Sequence, residues 1–345
     1  MIALHHRPIE LELRHRFRIA RGASDTRLNV AVELEDGDGN RIGRGEAAPI
    51  QRYDQDAASV GRALDEMAGR LGDPRSFATA VTAAAVPGQP AAAAAVDAAL
   101  HDLAGQRFGV PLYEIFGVDP RATPPTSFTI GMDTPEVVAA KVREAGDFEV
   151  LKIKLGSEDD LELLEAVRSE TDRPLRVDAN EGWTLERAKE LVDELARMGV
   201  ELVEQPLPAD RLDETRELRR VSPLPLVADE SVACAADVPR LAGAFDAINI
   251  KLAKCGGLAE ARRMIAVARA HGMKVMLGCM IESSLGITAA AHLSPLVDWA
   301  DLDGSLLITN DPFKGAELAG GRLVPPEAPG LGVEPRSEVE RRATG

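Results

Sequence analysis

The feature that most constrains the fold is a regular alternation of short apolar segments and amphipathic segments, which begins near residue 124. The amphipathic segments, such as TLERAKELVDELARMG and GLAEARRMIAVARAHG, have helical periodicity. An open doubly wound sheet usually has five or six strands, so eight strand–helix units favour a (β/α)8 barrel. The eight predicted strands are centred near residues 128, 153, 177, 203, 228, 249, 276 and 300.

The first part of the chain has a different pattern, which is typical of a separate α+β unit. LNVAVELEDGDGNRIGRGE reads as two strands around a turn at Asp36 to Gly39, and AAAAAVDAALHDLAGQRFG reads as a helix that ends at a glycine. The predicted fold is therefore of the α/β class. It has an α+β capping domain over residues 1–122, a modified (β/α)8 TIM-type barrel over 123–305, and a tail, 306–345, that completes the first domain.

Composition excludes several classes of partner. The formal net charge of −16 argues against binding to nucleic acid or to an anionic membrane, which both require basic surface. No apolar run approaches the roughly 18 to 20 residues that span a bilayer. The start, MIALHHRPIE, lacks a basic and then apolar signal region, so we expect a cytoplasmic protein. Three scattered cysteines do not suggest disulfides or a zinc site.

Three consecutive predicted strands each end in an acidic residue. Asp178 ends LRVD, Glu204 ends ELVE and Asp229 ends LVAD. The carboxyl ends of barrel strands form one rim, so these acids should converge there and repel one another unless a cation neutralises them. An all-oxygen ligand set favours Mg²⁺, with Mn²⁺ possible, over Zn²⁺. The alternative is that the acids pair with lysines of the barrel.

Lysines occupy the ends of the second and sixth predicted strands. Lys152 and Lys154 lie at period two in VLKIKL, and Lys251 ends AINIK. Lys154 and Lys251 would flank a metal from opposite sides and could act as acid and base if their pKa values are lowered. We expect Lys152 to lower the pKa of Lys154 and to bind negative oxygen. We expect Lys254, three residues beyond Lys251, to lie outside this set.

Two bases facing each other across a metal suit one reaction above others. The metal would stabilise an enolate formed by loss of a proton next to a carboxylate, and the opposite base would return the proton to the other face. The configuration at that carbon would be inverted. From the residues alone, a Schiff-base aldolase and a non-catalytic binding barrel remain alternatives.

Several motifs together closely resemble the enolase superfamily, in its muconate lactonising enzyme subgroup and specifically the dipeptide epimerases. They are RYDQDAASV, LKIKLG, VDANEGW, VEQPL, ADES, NIKLAKCGG, GCMIESSLGITAAAH and DLDG, which extend over nearly the whole chain. The resemblance implies a capping domain on a modified barrel, Mg²⁺ as cofactor, a dipeptide as small-molecule substrate, and a homo-oligomer.

The resemblance also implies roles for individual residues. The metal ligands fall on Asp178, Glu204 and Asp229, and the two acid/base lysines fall on Lys154 and Lys251. The pair of acids on the eighth strand would bind the substrate's ammonium group. That pair separates dipeptide epimerases from cycloisomerases, N-acylamino acid racemases and o-succinylbenzoate synthases, which remain the alternative reactions. The residues expected to contact substrate are Asp301, Asp303, Thr129, Cys279, Met280 and Ile281.

One position departs from the Ala-Glu epimerase pattern. In those enzymes an arginine in the loop after the first strand binds the glutamate side chain, and Ser24 stands at this place in FRIARGASDTR. Serine cannot form the bidentate pair that arginine makes with a carboxylate. Arg21, Arg27 or Arg52 could substitute for it, so the preferred dipeptide side chains stay open.

Overall fold

The structure of the protein is a computed structural model. None of the helices in the part of the chain that it describes is long and apolar enough to cross a membrane. It describes residues 2–19, 22–37, 39, 41–72, 77–146 and 148–337.

The N-terminal unit is a three-stranded antiparallel sheet covered by helices. Gly43 and Gly45 allow the alanine-rich helix to lie directly on the sheet, since a Cβ at either position would lie about 2 Å from a backbone oxygen of Ala99 or Ala95. The sequence did not predict the first strand. The elements are β1 (Ala3–Ile19), β2 (Gly22–Glu35), β3 (Ile42–Ala47), α1 (Ala57–Ala68), α2 (Phe77–Ala84), α3 (Pro90–Phe108) and α4 (Leu112–Phe116).

The eight predicted strands of the barrel are confirmed. They are parallel and hydrogen-bonded in chain order, and a bridge between Thr126 and Ala300 brings the first and last strands together. The strands are β4 (Ser127–Ile130), β5 (Val150–Lys154), β6 (Leu175–Asp178), β7 (Val200–Glu204), β8 (Leu226–Ala228), β9 (Ala247–Lys251), β10 (Lys274–Gly278) and β11 (Trp299–Asp301).

Helices follow the first seven strands, whereas β11 is followed in the described chain by a 3₁₀ turn, Gly304–Leu307. Beyond this turn, Ile308 bridges to Leu13 of β1, so the capping sheet contacts the barrel at this point. The barrel is therefore modified, as predicted. Its helices are α5 (Pro135–Glu144), α6 (Asp160–Glu170), α7 (Leu185–Arg197), α8 (Leu212–Val221), α9 (Val238–Leu241), α10 (Leu252–Cys255), α11 (Leu258–Ala270) and α12 (Ser284–Ala291).

The barrel interior is apolar at its base and charged near the carboxyl ends of the strands. Side chains alternate between the two faces of a strand, so residues two apart share the interior. Leu202, Val227, Ala247 and Met276 form a buried cluster against Trp299. Two or four residues further along these strands, the interior positions carry acids and a lysine of the site, namely Glu204, Asp229, Asp301 and Lys251.

The tail contacts the N-terminal unit. The Leu112 amide donates to the Gly330 carbonyl at 3.0 Å, and the Leu331 amide donates to Asp102 of α3 at 2.8 Å. These contacts agree with the expected packing of the tail on the first domain. The domain boundaries at residues 122 and 305 stay predictions. The tail contains β12 (Phe313–Lys314), β13 (Glu317–Ala319), β14 (Arg322–Val324) and β15 (Glu334–Pro335).

Candidate active site

The three predicted metal ligands meet at the carboxyl ends of β6, β7 and β8. One oxygen of each of Asp178, Glu204 and Asp229 lies within 4.8 Å of the corresponding oxygens of the other two. The parallel register pairs Asp178 directly with Glu204, so both side chains enter the interior at the same height. All three side chains are buried.

Electrostatics distinguish the three acids. Burial and the negative charge of Asp178 raise the pKa of Glu204 to about 7. Burial also opposes ionisation of Asp178, but the charges of Lys154 and Lys152 outweigh it and lower the pKa of that carboxyl. At Asp229 burial is likewise outweighed, here by the charge of Lys251 and a second lysine, so its pKa is well below the usual range. Two of the three carboxyls are therefore stabilised as carboxylates by lysines, whereas burial disfavours the charge of the third, Glu204.

This arrangement fits a divalent cation. The donors are all oxygens, and one oxygen of each acid lies within 4.8 Å of those of the other two. Oxygen ligands of this kind suit Mg²⁺ or Mn²⁺. The structure also shows the alternative, in which the acids pair with lysines of the barrel. A bound cation and these lysines would contact the same carboxylates.

Lys154 and Lys251 lie on opposite sides of the acids. They come from the second and sixth strands of eight, half a turn apart around the barrel. Lys154 Nζ donates to Asp178 Oδ2 at 2.6 Å, and Lys251 Nζ donates to Asp229 Oδ2 at 2.8 Å. Lys154 retains 8% of its surface and Lys251 retains 7%, whereas Lys152 retains 1%. The first two amines therefore reach the mouth of the barrel.

Lys152 is a fixed interior cation. Its Nζ lies 2.5 Å from Glu204 Oε2, 2.6 Å from Asp301 Oδ2 and 3.4 Å from Asp178 Oδ2. Burial opposes its charge, but these carboxylates outweigh burial and hold its pKa well above the usual range. This position suits the predicted binding of negative oxygen. The predicted effect of Lys152 on Lys154 stays a prediction.

The pKa of Lys251 is raised and not lowered in this arrangement. Burial favours its neutral form, but the charges of Asp229 and Glu204 outweigh burial. A cation bound by Asp229 would compete with Lys251 for the same carboxylate. Lys254 was expected outside the set of site lysines, but it is buried and contacts the same acid as Lys251: its Nζ donates to the Asp229 carbonyl at 2.6 Å and also to Asp229 Oδ1. It therefore fixes the orientation of that ligand.

Asp301 and Asp303 lie beside the seam between β4 and β11. Asp301 accepts hydrogen bonds from Ser127 Oγ and Lys152 Nζ, both at 2.6 Å, and Asp303 Oδ2 accepts one from the Thr129 amide at 2.5 Å. Burial and the charge of Asp301 raise the pKa of Asp303 to about 7. At Asp301 burial is outweighed by Lys152, and the pKa falls to about 2. The corner therefore contains two buried carboxyls, of which Asp301 contacts the ammonium of Lys152.

The predicted substrate segment after β10 joins the barrel to the capping sheet. The Ile281 carbonyl accepts a hydrogen bond from Asn29 Nδ2 of β2 at 3.0 Å. The Met280 amide donates to Glu282 Oε1 at 2.9 Å. Burial and the nearby charges of Asp303 and Asp301 raise the pKa of Cys279 well above its usual range, so its thiol is neutral and close to that corner.

Ser24, which was expected in the loop after the first strand, lies within β2 of the capping sheet. It pairs with Phe17 in the β1–β2 hairpin, and its hydroxyl donates to the Thr26 carbonyl at 2.5 Å. Arg27 donates to the same carbonyl at 3.2 Å. The Arg52 guanidinium binds Glu181, and Arg21 lies outside the described residues. The role of Ser24 in substrate binding stays a prediction.

Sequence reasoning missed three interior polar residues, each two positions before a predicted site residue on the same strand. Ser127 donates to Asp301, and Asn249 donates to Glu204. Arg176 Nη1 donates to the Ala300 carbonyl at 2.7 Å. Side chains two residues apart in a strand point to the same face, so the residue two positions before each predicted site residue should also face the interior. This reasoning would have found all three.

The fold and site together define an acid–base enzyme with a capped barrel and a cluster of carboxylates suited to a divalent cation. The family model "Mandelate racemase / muconate lactonizing enzyme, N-terminal domain" matches residues 3–117. The model "Enolase C-terminal domain-like" matches residues 135–339. The chain therefore belongs to the enolase superfamily, in the mandelate racemase/muconate lactonizing enzyme family.

Individual relatives are similar over their whole length. The L-Ala-D/L-Glu epimerase of Bacteroides thetaiotaomicron is 45% identical over 336 residues, which cover 94% of this chain and 86% of that protein. The L-Ala-D/L-amino acid epimerase of Pedosphaera parvula is 40% identical over 345 residues, 96% and 98% of the two chains. A dipeptide epimerase from Cytophaga hutchinsonii, solved with Mg and D-Ala-L-Val, superposes with a TM-score of 0.91 at 28% identity, covering 98% and 96%.

Proposed function

We propose that the protein is a Mg²⁺-dependent dipeptide epimerase. It inverts the α-carbon of the C-terminal residue of a dipeptide by proton transfer between two bases. The observation that carries this proposal is the placement of Lys154 and Lys251 on opposite sides of one cluster of carboxylates. The Mg-containing dipeptide epimerase with the same fold and the epimerase relatives support it.

In this reaction the residues have separate tasks. Asp178, Glu204 and Asp229 would hold the cation, which when bound stabilises negative charge on the substrate carboxylate. Lys152 adds a fixed positive charge on the inner side of this group. Lys154 and Lys251 exchange a proton with opposite faces of the α-carbon. Inversion follows because removal and return occur from different sides.

The acids of the eighth strand orient the dipeptide. We propose that Asp301 and Asp303 bind its ammonium group and that Thr129, Cys279, Met280 and Ile281 contact the remainder of the substrate. N-acylamino acid racemisation, cycloisomerisation and o-succinylbenzoate synthesis use substrates without a free ammonium group. Among the described residues, Lys152 is the one lysine that pairs with these two buried acids, and it contacts Asp301; this favours a cationic substrate group over those alternatives.

Chiral analysis of dipeptides tests this function. The purified protein is incubated with a mixed panel of L,L-dipeptides, with Mg²⁺ or with excess chelator, and the configuration of each residue is measured. Epimerisation of the C-terminal residue is expected with Mg²⁺, and its loss is expected on chelation. A panel without any epimerised member, tested with Mg²⁺ present, would contradict the proposal.

Two further properties belong to the same proposal. We propose a homo-oligomer, which light scattering coupled to size-exclusion chromatography would test directly. We also propose that the protein works in the cytoplasm. Cys234, Cys255 and Cys279 are free thiols, which agrees with a reducing compartment.

A further inference from the structure

Asn249 is a fully buried amide inside the barrel that the proposed reaction does not use. It lies on β9 between Ala247, which belongs to the apolar base, and Lys251, which ends the strand. Its relative exposure is 0%. An uncharged apolar side chain would be the ordinary occupant of this position, so the amide requires a reason.

The amide makes one short contact, and that contact is to a predicted metal ligand. Asn249 Nδ2 donates to Glu204 Oε1 at 2.7 Å. Nδ2 is the donor end of the amide, so Glu204 Oε1 accepts this hydrogen bond. Asn249 Oδ1 has no hydrogen-bond partner within the described ranges. The contact with Glu204 therefore sets the orientation of the amide, and in this orientation Oδ1 is left without a hydrogen bond to any described residue.

The other oxygen of Glu204 contacts Lys152. Lys152 Nζ lies 2.5 Å from Glu204 Oε2 and 3.4 Å from Asp178 Oδ2, so this amine connects two of the predicted metal ligands. With Oε1 bonded to Asn249, the carboxylate cannot rotate freely about its last bond. The amide and the amine together therefore fix the orientation of Glu204 in the cluster.

The neighbouring strand leaves the space that the amide needs. A Cβ added at Gly278 of β10 would lie 2.6 Å from Asn249 Oδ1 and 2.9 Å from Nδ2, closer than real Cβ contacts. Gly278 has no positive φ, so the reason for glycine here is space and not backbone conformation. Asn249 and Gly278 are thus matched in size across the two strands.

We propose that Asn249 is a positioning residue of the metal site, which orients Glu204 for the cation, and that Gly278 provides its space. The inference depends on the proposed function only in taking Asp178, Glu204 and Asp229 as the metal ligands. Partners that orient metal ligands in this way typically contribute about 10- to 100-fold to metal affinity. A residue that merely filled the interior would contribute nothing to Mg²⁺ binding.

The test compares Mg²⁺ binding to the purified, substrate-free protein and to the variant Asn249→Leu, which has the same number of side-chain heavy atoms but no donor. Isothermal titration calorimetry and the Mg²⁺-dependent shift of the melting temperature provide readouts without activity. Met276→Leu is the matched control, since Met276 is the β10 partner of Asn249 in the same interior. We expect affinity to fall roughly 10- to 100-fold in Asn249→Leu and to stay unchanged in the control.

A second variant keeps the test decisive if the leucine does not fold. Asn249→Ser is smaller, introduces no clash and has a hydroxyl too short to span the same distance, so we expect the same loss of affinity. Wild-type affinity in a folded Asn249 variant would overturn the proposal while leaving the metal site intact. Failure of the unmodified protein to bind Mg²⁺ would overturn the metal site itself, and this proposal with it.

Discussion

At the scale of single residues, Asp301 and Asp303 show how position makes two identical side chains different. Asp301 contacts the ammonium of Lys152, and its pKa falls to about 2 against the effect of burial. Burial and the charge of Asp301 raise the pKa of Asp303 to about 7. Only Asp303 therefore gains a large electrostatic advantage when a second cation binds.

The first prediction concerns this second acid. Asp303→Asn should lower kcat/KM for a dipeptide by roughly 10- to 100-fold, because a hydrogen bond to a charged group contributes about 1.5 to 3 kcal/mol. An N-acetylated dipeptide, which has no ammonium, should be affected much less. The ratio of kcat/KM for the two substrates measures the effect.

The control for this prediction is Glu149→Gln, an acid that pairs with Arg322 just before the start of β5, at the opposite end of that strand from Lys154. It should leave the ratio unchanged. An equal decrease with both substrates in Asp303→Asn would show that Asp303 does not bind the ammonium group.

The identities and the grouping of the charged site residues were predictable, but their pairings were not. The carboxyl ends of the strands placed Asp178, Glu204 and Asp229 on one rim, because barrel geometry follows from strand periodicity alone. The pairings depend on rotamers and on neighbouring strands. Sequence therefore placed Lys152 near Lys154 but could not show that its amine bridges Glu204 and Asp301.

At the scale of elements, a loop of the capping domain is joined to two loops of the barrel. Arg52 of the 3₁₀ turn Gln51–Tyr53 binds both carboxylate oxygens of Glu181, each at 3.1 Å. Glu181 follows β6 with a φ of 68° and accepts the Ala209 amide from the loop after β7 at 2.9 Å. The strands before these two loops end in Asp178 and Glu204, so this ion pair links the capping loop to the metal ligands.

The second prediction tests this link. Arg52→Gln should raise KM for the dipeptide by up to about fivefold with a smaller change in kcat, because partly exposed ion pairs contribute about 0.2 to 1 kcal/mol. Glu181→Gln should have a similar effect on KM. The double variant should be no worse than either single variant, and steady-state kinetics measure all three.

Arg121→Gln is the control, since Arg121 pairs with Asp119 on the surface away from the site. Its KM should equal that of the unmodified protein. Additive effects of Arg52→Gln and Glu181→Gln would indicate that the two side chains act independently and would contradict the link.

The strands of the barrel were predictable as elements because each is a short, mainly apolar segment between two amphipathic helical segments. Strand β1 was not predicted, although LELRHRF alternates apolar and charged side chains as a half-buried strand does. The 3₁₀ turn after β11 was also not predicted. Its place in the fold depends on contacts with β1, which lies almost 300 residues earlier in the chain.

At the scale of the whole molecule, His292 joins the barrel, the capping unit and the tail. Its Nδ1 accepts the Tyr113 amide of α4 at 3.2 Å, and its Nε2 donates to the Leu331 carbonyl of the tail at 3.2 Å. In the neutral ring, both nitrogens therefore form hydrogen bonds, one as an acceptor and the other as a donor. Burial lowers the pKa of His292 to about 4.

The third prediction follows from this shift. The pKa of His292 in the unfolded chain is about 6.5, so below that pH the unfolded chain binds a proton before the folded protein does. The free energy of unfolding should therefore decrease as pH falls from about 6.5 to about 4. This residue should contribute about 2 kcal/mol of the decrease between pH 7 and pH 5.

Urea unfolding at these two pH values measures the contribution. His292→Gln should be less stable at pH 7 but should lose about 2 kcal/mol less than the unmodified protein on acidification. His271→Gln, at an exposed position, is the control and should retain the full pH dependence. The same pH dependence in His292→Gln as in the unmodified protein would exclude His292 as its source.

The overall architecture was predictable to the level of a capped, modified barrel, because strand number and spacing leave few alternatives. The way in which the units join was not predictable. Contacts such as His292 with Leu331 and Asn29 with Ile281 join positions distant in sequence through single hydrogen bonds, which leave no periodic signal.

The most direct test of the central claim is hydrogen–deuterium exchange at the substrate α-carbon. The protein, Lys154→Ala and Lys251→Ala are each incubated with Mg²⁺ and both epimers of a responding dipeptide in D₂O, and mass spectrometry with chiral separation measures deuterium in each epimer. The unmodified protein should deuterate both epimers and interconvert them. Each lysine variant should lose interconversion but still deuterate one epimer, and the two variants should differ in which epimer this is. Deuteration of both epimers by either variant, or of neither by the unmodified protein, would contradict the two-base account.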